Sequence, residues 1–463
     1  MSDKVEKTGK MKQILIIGAG RVSGFLVQYL AGYSKEKNWK LIVADQLKEA
    51  ADKVIAGLPN CEALQLNVFR KKLTEKAVSK VDLVISLLPP RYHFLVYEHC
   101  LKYRCSFLTA SYEAEDPTKL NREAKEKGIL LLNEMGLNPG LDHCSAMRVI
   151  HRLKSEGHRV VSFESFTGSL PAPESDDNPW HYRFSWNPRN VVLSGQDVTV
   201  KFLQKGQRKY IPYHKVFRRT EKICIPGYCD YEAYANRDSL RYIPIYGLEE
   251  AETVFRGTIR GRGFCRAWDV FVQLGATDDS FIMELSKGAI HRDFINAFLM
   301  YHPTDSVELK FMHYMGLDPD SEVMEKLDWL GIFEKTPIGL DTGTPAQILE
   351  HILKKKWSMK PQDLDLVVMW HQFEFEDKNT REIRTLHSYL VVKREEGGPP
   401  AISKTVGLPL GIAARLYLDG EIKVHGCVLP TIKEIYNPVL NELEKYGIRF
   451  IEQEKNEGSK KNS

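Results

Sequence analysis

The sequence predicts an α/β protein: a doubly wound parallel sheet at the amino-terminal end, followed by a mixed-sheet domain that carries a helical insertion. The first part rests on Ile14-Leu15-Ile16-Ile17, apolar on both faces as a central parallel strand must be, and on the short apolar runs that alternate with helical stretches as far as Leu132. The second rests on a change of pattern. From Val160 the chain turns toward strands and turns (Val160–Ser165, Asn190–Leu193, Ala251–Arg260), becomes mostly helical from Asp278 to Lys356, and resumes strand patterning over Leu364–Glu376 and Thr385–Val392.

The first strand breaks into Gly18-Ala19-Gly20-Arg21-Val22-Ser23-Gly24 and continues as a helix over Phe25–Tyr33. Gly18 permits a tight turn, and Gly20 lets the backbone approach a pyrophosphate at the amino end of that helix. Ser23 takes the third small position. A second strand, Trp39–Ala44, ends in Asp45, where this dinucleotide fingerprint places a carboxylate for the ribose hydroxyls. A 2′-phosphate would meet a like charge there, and Gln46-Leu47 supplies no arginine, so Asp45 favours NAD(H), with NADP(H) as the alternative. Ala63–Val68, Val81–Leu88, Ser106–Ala110 and Gly128–Leu132 complete a Rossmann-type sheet. Its ligands sit beyond the carboxyl ends of the strands, so Leu88, just before Pro89-Pro90, and Ser111-Tyr112 belong near the site. Asn133–His143 is then the loop that leads into the second domain.

At 463 residues the chain is too long for one core. A hydrophobic fraction of 43% and a formal charge of +4 are ordinary values, which give no support to nucleic acid or a membrane surface as partner. No apolar run approaches the length of a membrane span, and Met1–Lys10 has no hydrophobic signal core, so the expected compartment is the cytoplasm. The cysteines (Cys61, Cys100, Cys105, Cys144, Cys224, Cys229, Cys265, Cys427) form no CxxC pair and no zinc-like spacing; they read as reduced thiols, and no metal site is expected. The lysine-rich end, Glu454–Ser463, reads as a frayed tail.

Several ordered motifs carry a more specific likeness. They are Asp82-Leu83-Val84-Ile85-Ser86-Leu87-Leu88-Pro89, Asn133 to His143, Leu170-Pro171-Ala172-Pro173-Glu174 with Asp177-Asn178-Pro179, and Phe184-Ser185-Trp186. Asn236-Arg237-Asp238-Ser239, Arg256-Gly257-Thr258-Ile259-Arg260, Trp329-Leu330-Gly331, Lys404-Thr405-Val406-Gly407-Leu408-Pro409 and Leu418-Asp419-Gly420-Glu421-Ile422 follow. Over almost its whole length the chain resembles the glutamate-forming saccharopine dehydrogenases, also called saccharopine reductases. The resemblance implies an oxidoreductase of lysine and 2-aminoadipate metabolism that interconverts saccharopine with L-glutamate and 2-aminoadipate 6-semialdehyde. Hydride passes between a carbon beside the amine and a nicotinamide, and an imine is hydrolysed. A related imine reductase, such as carboxynorspermidine dehydrogenase, and a non-catalytic nucleotide-binding regulatory protein of the same fold are the alternatives.

The same resemblance implies a site. Ser111, Tyr112, Asn138, Arg237, Thr258, Ile259 and Arg260 fall where the family contacts its amino-acid substrate. Ala19, Gly20, Val22, Asp45, Asn67, Val68, Leu88, Ala110, Ser111, Leu137, Asn138, Pro139 and Ser185 fall where it contacts the dinucleotide. Saccharopine carries several carboxylates, for which Arg237 and Arg260 offer paired hydrogen bonds. The expected domains are 1–138 for the dinucleotide, 139–277 with 361–402 for substrate and dimerisation, and 278–360 for the helical insertion; residues 403–463 form C-terminal helices that, by the resemblance, pack back on the first domain. A homodimer is expected through an edge of the mixed sheet. Some positions depart from the family pattern. Asn138 stands where the family usually has Asp, Ser165-Phe166-Thr167-Gly168-Ser169 replaces Ser-Tyr-Cys-Gly-Gly, and Arg91 and Arg262 add cations. No catalytic acid or base is assigned, and His143 reads as packing the start of the helix Cys144–Leu153.

Overall fold

The computed structural model describes residues 11–113, 117–196 and 199–455. The chain forms two compact units, Met1–Arg152 with Pro399–Arg449, and Leu153–Gly398 with Phe450–Ser463. In chain order the elements begin β1 (Lys12–Ile17), α1 (Ser23–Ser34), β2 (Trp39–Asp45), α2 (Lys48–Ile55), β3 (Cys61–Gln65), α3 (Lys71–Val78), β4 (Leu83–Ser86), α4 (Phe94–Tyr103), β5 (Ser106–Thr109), α5 (Pro117–Lys127), β6 (Leu130–Leu132) and α6 (Leu141–Ser155). Next come β7 (Arg159–Pro171), α7 (Pro188–Val192), β8 (Val200–Gln204), β9 (Gln207–Ile211), β10 (Thr220–Ile225), β11 (Tyr228–Ala235), α8 (Tyr242–Tyr246), β12 (Thr253–Gly261) and α9 (Phe264–Leu274). A largely helical stretch follows: β13 (Met283–Glu284), α10 (His291–Asn296), α11 (Val307–Met315), α12 (Glu322–Leu330), β14 (Thr342–Gly343) and α13 (Pro345–Trp357). The last elements are β15 (Asp365–Glu376), β16 (Ile383–Lys393), α14 (Ala401–Leu418), β17 (Gly426–Val428), α15 (Lys433–Glu444) and β18 (Ile451–Lys455).

The first unit is built on a seven-stranded sheet in the order β17-β6-β5-β4-β1-β2-β3, every pair parallel. Ile14, Leu15 and Ile16 are fully buried, which explains a first strand apolar on both faces. The seventh strand, β17, comes from the far end of the chain and pairs with β6, a pairing the sequence reading did not anticipate. The helices around it are tied to α1 by a polar knot: Tyr29 donates to Glu442, while Arg415 donates to the Tyr29 hydroxyl at 3.1 Å and to Glu442 at 2.6 Å. Burial of the Tyr29 hydroxyl beside the Glu442 carboxylate pushes its pKa far up and keeps it a donor.

The second unit is built on a nine-stranded sheet. Its main path is β10-β11-β12-β7-β15-β16-β18, parallel only between β12 and β7, with the β8–β9 hairpin joined to β12. β7 pairs with β15 over almost its whole length. Successive side chains alternate between faces. Phe166 and Leu170 of β7, with Leu366, Val368 and Trp370 of β15, enter an aromatic core with Trp180, Phe264 and Trp357. Ser165, Thr167 and Ser169 therefore occupy the other face. Asn190–Leu193, expected as a strand, lies mostly in α7 instead: Pro188 starts a helix capped by the Asn187 side chain, which accepts from Arg189 N at 3.0 Å.

Among the described residues no helix is long and apolar enough to cross a membrane. Cys61, Cys100, Cys105, Cys144, Cys265 and Cys427 are free thiols. Cys224, on β10, is disulfide-bonded, which corrects the expectation of a reduced thiol; that expectation followed from compartment and motif, neither of which reports local geometry. The Cys229 side chain lies outside the described residues, as do residues 456–463 of the expected tail, whose first two residues belong to β18.

Glu164, on the core side of β7, has its carboxyl pushed up to about 7 by burial and by Glu221 and Glu374. The folded chain thus holds this proton more tightly than the unfolded chain, whose ordinary value is 4.5. Its contribution to stability is complete below that value and is lost as pH rises through about 7. Thermal unfolding followed across this window should show a falling Tm, and Glu164→Gln should flatten the fall.

Candidate functional site

In the first unit the anticipated residues gather at one edge of the parallel sheet. Ala19 and Gly20 follow β1, Asp45 ends β2, Asn67 and Val68 follow β3, Leu88 follows β4, Ala110, Ser111 and Tyr112 follow β5, and Leu137, Asn138 and Pro139 follow β6. Gly18 has φ 107°, a conformation that favours glycine. A Cβ on Gly20 would meet nothing within 4 Å, so the backbone is open to a ligand there. Val22 occupies the cap position of α1 without a side-chain hydrogen bond, and the first turn has no acidic residue. This combination of open backbone and helix amides without a side-chain cap fits a pyrophosphate.

The loops are cross-tied. Asp45 accepts from the backbone N–H of Ala19 at 2.9 Å and of Leu47 at 3.0 Å. Ser111 Oγ donates to the carbonyl of Leu88 at 3.1 Å, and Asn67 accepts from Phe69 N at 3.0 Å. After β6 the chain turns back on itself: Gly136 N donates to Pro139 O at 2.9 Å, and Leu141 N to Gly136 O at 2.8 Å. Gly140 has φ 146°, and a Cβ there would fall on the Gly136 carbonyl, so no other residue fits this turn.

Beneath that turn lies a polar pair the sequence reading did not foresee. His143 Nε2 stands 2.8 Å from Glu134 Oε2, and both side chains are completely buried. Glu134 also receives the Glu113 N–H at 3.2 Å, and its own N–H donates to Ser111 O at 2.9 Å. Glu134 thus joins the loop carrying Ser111 and Tyr112 to the loop carrying Asn138. Asp142 accepts from Gly140 N at 2.6 Å and from His143 N at 2.9 Å, closing the turn at the start of α6. His143 is accordingly a packed residue of that helix start.

In the second unit, Thr258, Ile259 and Arg260 lie near the end of β12, and Arg237 follows β11. Thr258 is half-buried, and Ile259 is buried against Gly168 of β7. Arg260 is buried among the rings of Tyr182, Phe264 and Tyr234, at 5.1, 5.3 and 5.7 Å, and donates to the carbonyl of Ile259 at 3.0 Å. Arg237, half-buried at φ 55°, accepts at its carbonyl from Lys201 N at 3.0 Å. In register Arg260 faces Glu232, whereas Ala235 already faces Gly257, so the two arginines are not side by side on these strands. Ser185 is buried with its hydroxyl 2.8 Å from that of Ser169. Arg91 is exposed and covers the Tyr92 ring at 4.9 Å, and Arg262 is exposed with Asp230 at 3.9 Å.

Two family domains match this chain: the saccharopine dehydrogenase NADP binding domain over residues 14–132, and the saccharopine dehydrogenase C-terminal domain over residues 136–448. The chain belongs to the saccharopine dehydrogenase family. The saccharopine dehydrogenase [NADP(+), L-glutamate-forming] of Schizosaccharomyces pombe is 32% identical over 455 residues, covering 96% of this chain and 99% of that protein. The alpha-aminoadipic semialdehyde synthase, mitochondrial, of Mus musculus is 32% identical over 450 residues, which are 95% of this chain but 47% of the longer protein. The apo saccharopine dehydrogenase (L-Glu forming) structure from Saccharomyces cerevisiae superposes with a TM-score of 0.84 at 29% identity, covering 96% of this chain and 100% of that one. The homospermidine synthase of Legionella pneumophila, at 10% identity and a TM-score of 0.52, shares the fold.

These family members overturn the preference for NAD(H). The matched amino-terminal domain is an NADP binding domain, and the Schizosaccharomyces relative is named for NADP(+). The structure supplies a physical reason why Asp45 misleads: its carboxylate receives two backbone amides and ties the glycine turn to the end of β2, a task that needs no ribose.

Gly20→Asp should place a negative charge in the open space against the turn. Fluorescence titration with NADPH should show binding weakened by at least about tenfold, while circular dichroism and Tm stay near wild type.

Proposed function

We propose that this chain interconverts saccharopine with L-glutamate and 2-aminoadipate 6-semialdehyde, using NADP(H). The observation that carries the reading is the near full-length match to a glutamate-forming relative, 96% of this chain and 99% of that protein. When bound, the dinucleotide supplies a hydride acceptor or donor at its nicotinamide. The rest of the chemistry falls to the chain. The edge formed by Gly20, Leu88, Ser111 and Leu137–Pro139 orients the dinucleotide, and exposed Lys48 and Arg70, beyond the ends of β2 and β3, are cations suited to a 2′-phosphate.

Arg237 and Thr258 bind the amino-acid portion. Ser111, Tyr112 and Asn138 orient the reacting carbon, with Asn138 contributing a neutral amide. The secondary amine carries its own proton, and water completes imine hydrolysis, so alignment accounts for much of the rate enhancement. An absorbance assay at the nicotinamide band, with saccharopine in one direction and glutamate plus semialdehyde in the other, tests the reading. Turnover in either direction should show kcat/KM at least about tenfold higher with the phosphorylated dinucleotide, the margin expected of a site that pairs its phosphate with a cation.

If Arg237 holds a substrate carboxylate through two parallel hydrogen bonds, Arg237→Lys keeps the charge and loses the fork, at a cost of about 1.5–3 kcal/mol of substrate recognition. Steady-state kinetics should show a raised KM for saccharopine, little change in kcat and an unmoved KM for the dinucleotide, with Arg237→Ala worse than Arg237→Lys. Wild-type kinetics in both variants would place the pocket elsewhere.

A homodimer through an edge of the nine-stranded sheet belongs to the same proposal. β18 is an edge strand, and Ile451 on it is 48% exposed. Light scattering at micromolar concentration should give the mass of two chains.

A further inference from the structure

β7 carries three hydroxyls on the face opposite the aromatic core: Ser165, Thr167 and Ser169, spaced two residues apart. The outermost is satisfied, because Ser169 meets Ser185 at 2.8 Å. The other two are not. Ser165 Oγ and Thr167 Oγ1 are buried and make no hydrogen bond within the protein, although Ser165 is 0% and Thr167 6% exposed. An unsatisfied buried hydroxyl is costly, and two in sequence on one face call for a ligand that would satisfy them.

The register says which ligand. On the parallel neighbour β12, Thr167 faces Thr258 and Ser165 faces Arg256. Directly paired residues share a face, with neighbouring strands roughly 4.8 Å apart. Thr258 is a candidate substrate contact and is only half-buried, so this face opens at the row it shares with Thr167. The Arg256 guanidinium lies over the Tyr242 ring at 4.3 Å, and Arg256 is paired in register with Ser165. Two hydroxyl donors and a guanidinium on adjacent strands suit an anion, and a carboxylate matches their chemistry.

We propose that Thr167, with Ser165 behind it, is a recognition residue that donates a hydrogen bond to a carboxylate of the amino-acid substrate. The proposal rests on the saccharopine reading above and deepens it.

The test is Thr167→Val, which keeps the shape and removes the hydroxyl, assayed with saccharopine and NADP(+). KM for saccharopine should rise about tenfold, with kcat near wild type and KM for NADP(+) unmoved. Thr167→Ser, which restores a donor, should recover most of the loss. Thr167→Ala, which opens space without adding bulk, should reproduce the selective rise and stands in should the valine variant not fold. A hydroxyl that is merely buried gives the opposite pattern: Thr167→Val then raises Tm by removing an unsatisfied group and leaves KM unchanged, and that result overturns the proposal. Wild-type protein that turns over no saccharopine overturns the functional reading itself, whereas an active wild type with unaltered Thr167 variants overturns only this assignment.

Discussion

Strands that run the same way leave a sheet at the same edge, and the first unit depends on this. Each of β1 to β6 ends beside its neighbours, so segments far apart in sequence deliver their first irregular residues to one line. An antiparallel sheet of the same strands would scatter them over two edges. What remains is to hold the emerging loops still. Asp45 does so for the glycine turn, Ser111 for the segment after β4, and Glu134 with His143 for the last two loops. A carboxylate and an imidazole fully removed from water persist only if they satisfy each other, which makes that pair a rigid joint.

The second unit uses a different device. Its sheet is mixed, and one face is committed to an aromatic core that needs no polar partner. Alternation then forces the intervening residues of β7 to the other face, where serines and threonines collect. The two-residue period sets these hydroxyls, beyond Phe163, on that face, and moving the register by one residue would exchange core and site together.

How much of this was legible in the chain depended on whether the signal was local. β1 and its turn were readable because an apolar run and two glycines describe themselves. β15 and β16 are readable because long runs rich in Val, Leu and aromatic residues pattern as strands. β17 was not: Gly426-Cys427-Val428 is a strand only because β6 offers it hydrogen bonds. The hairpins β8–β9 and β10–β11 leave a fainter trace, in the turn signals Lys205-Gly206 and Pro226-Gly227 between strand-like runs. Asn190–Leu193 patterns as a strand, while Pro188 and the cap at Asn187 decide for a helix. Asp45 was assigned by its position in a fingerprint, but its partners are set by the fold, and the cofactor inference failed there. The site residues at strand ends came through the family likeness. The unsatisfied hydroxyl of Thr167 is a property of packing that no sequence displays.

The return of the chain to complete its first sheet has a consequence for synthesis. The ribosome delivers β1 to β6 early, but the strand that covers β6 arrives only after the long Leu153–Gly398 segment of the second unit has been made. At ordinary elongation rates that interval is on the order of tens of seconds. During it the nascent sheet presents the open edge of β6, with Leu130, Leu131 and Leu132 lacking their final neighbour. An exposed apolar edge is an aggregation hazard. The brevity of β6, three residues long, limits how much of a stray strand it can capture before the native one emerges.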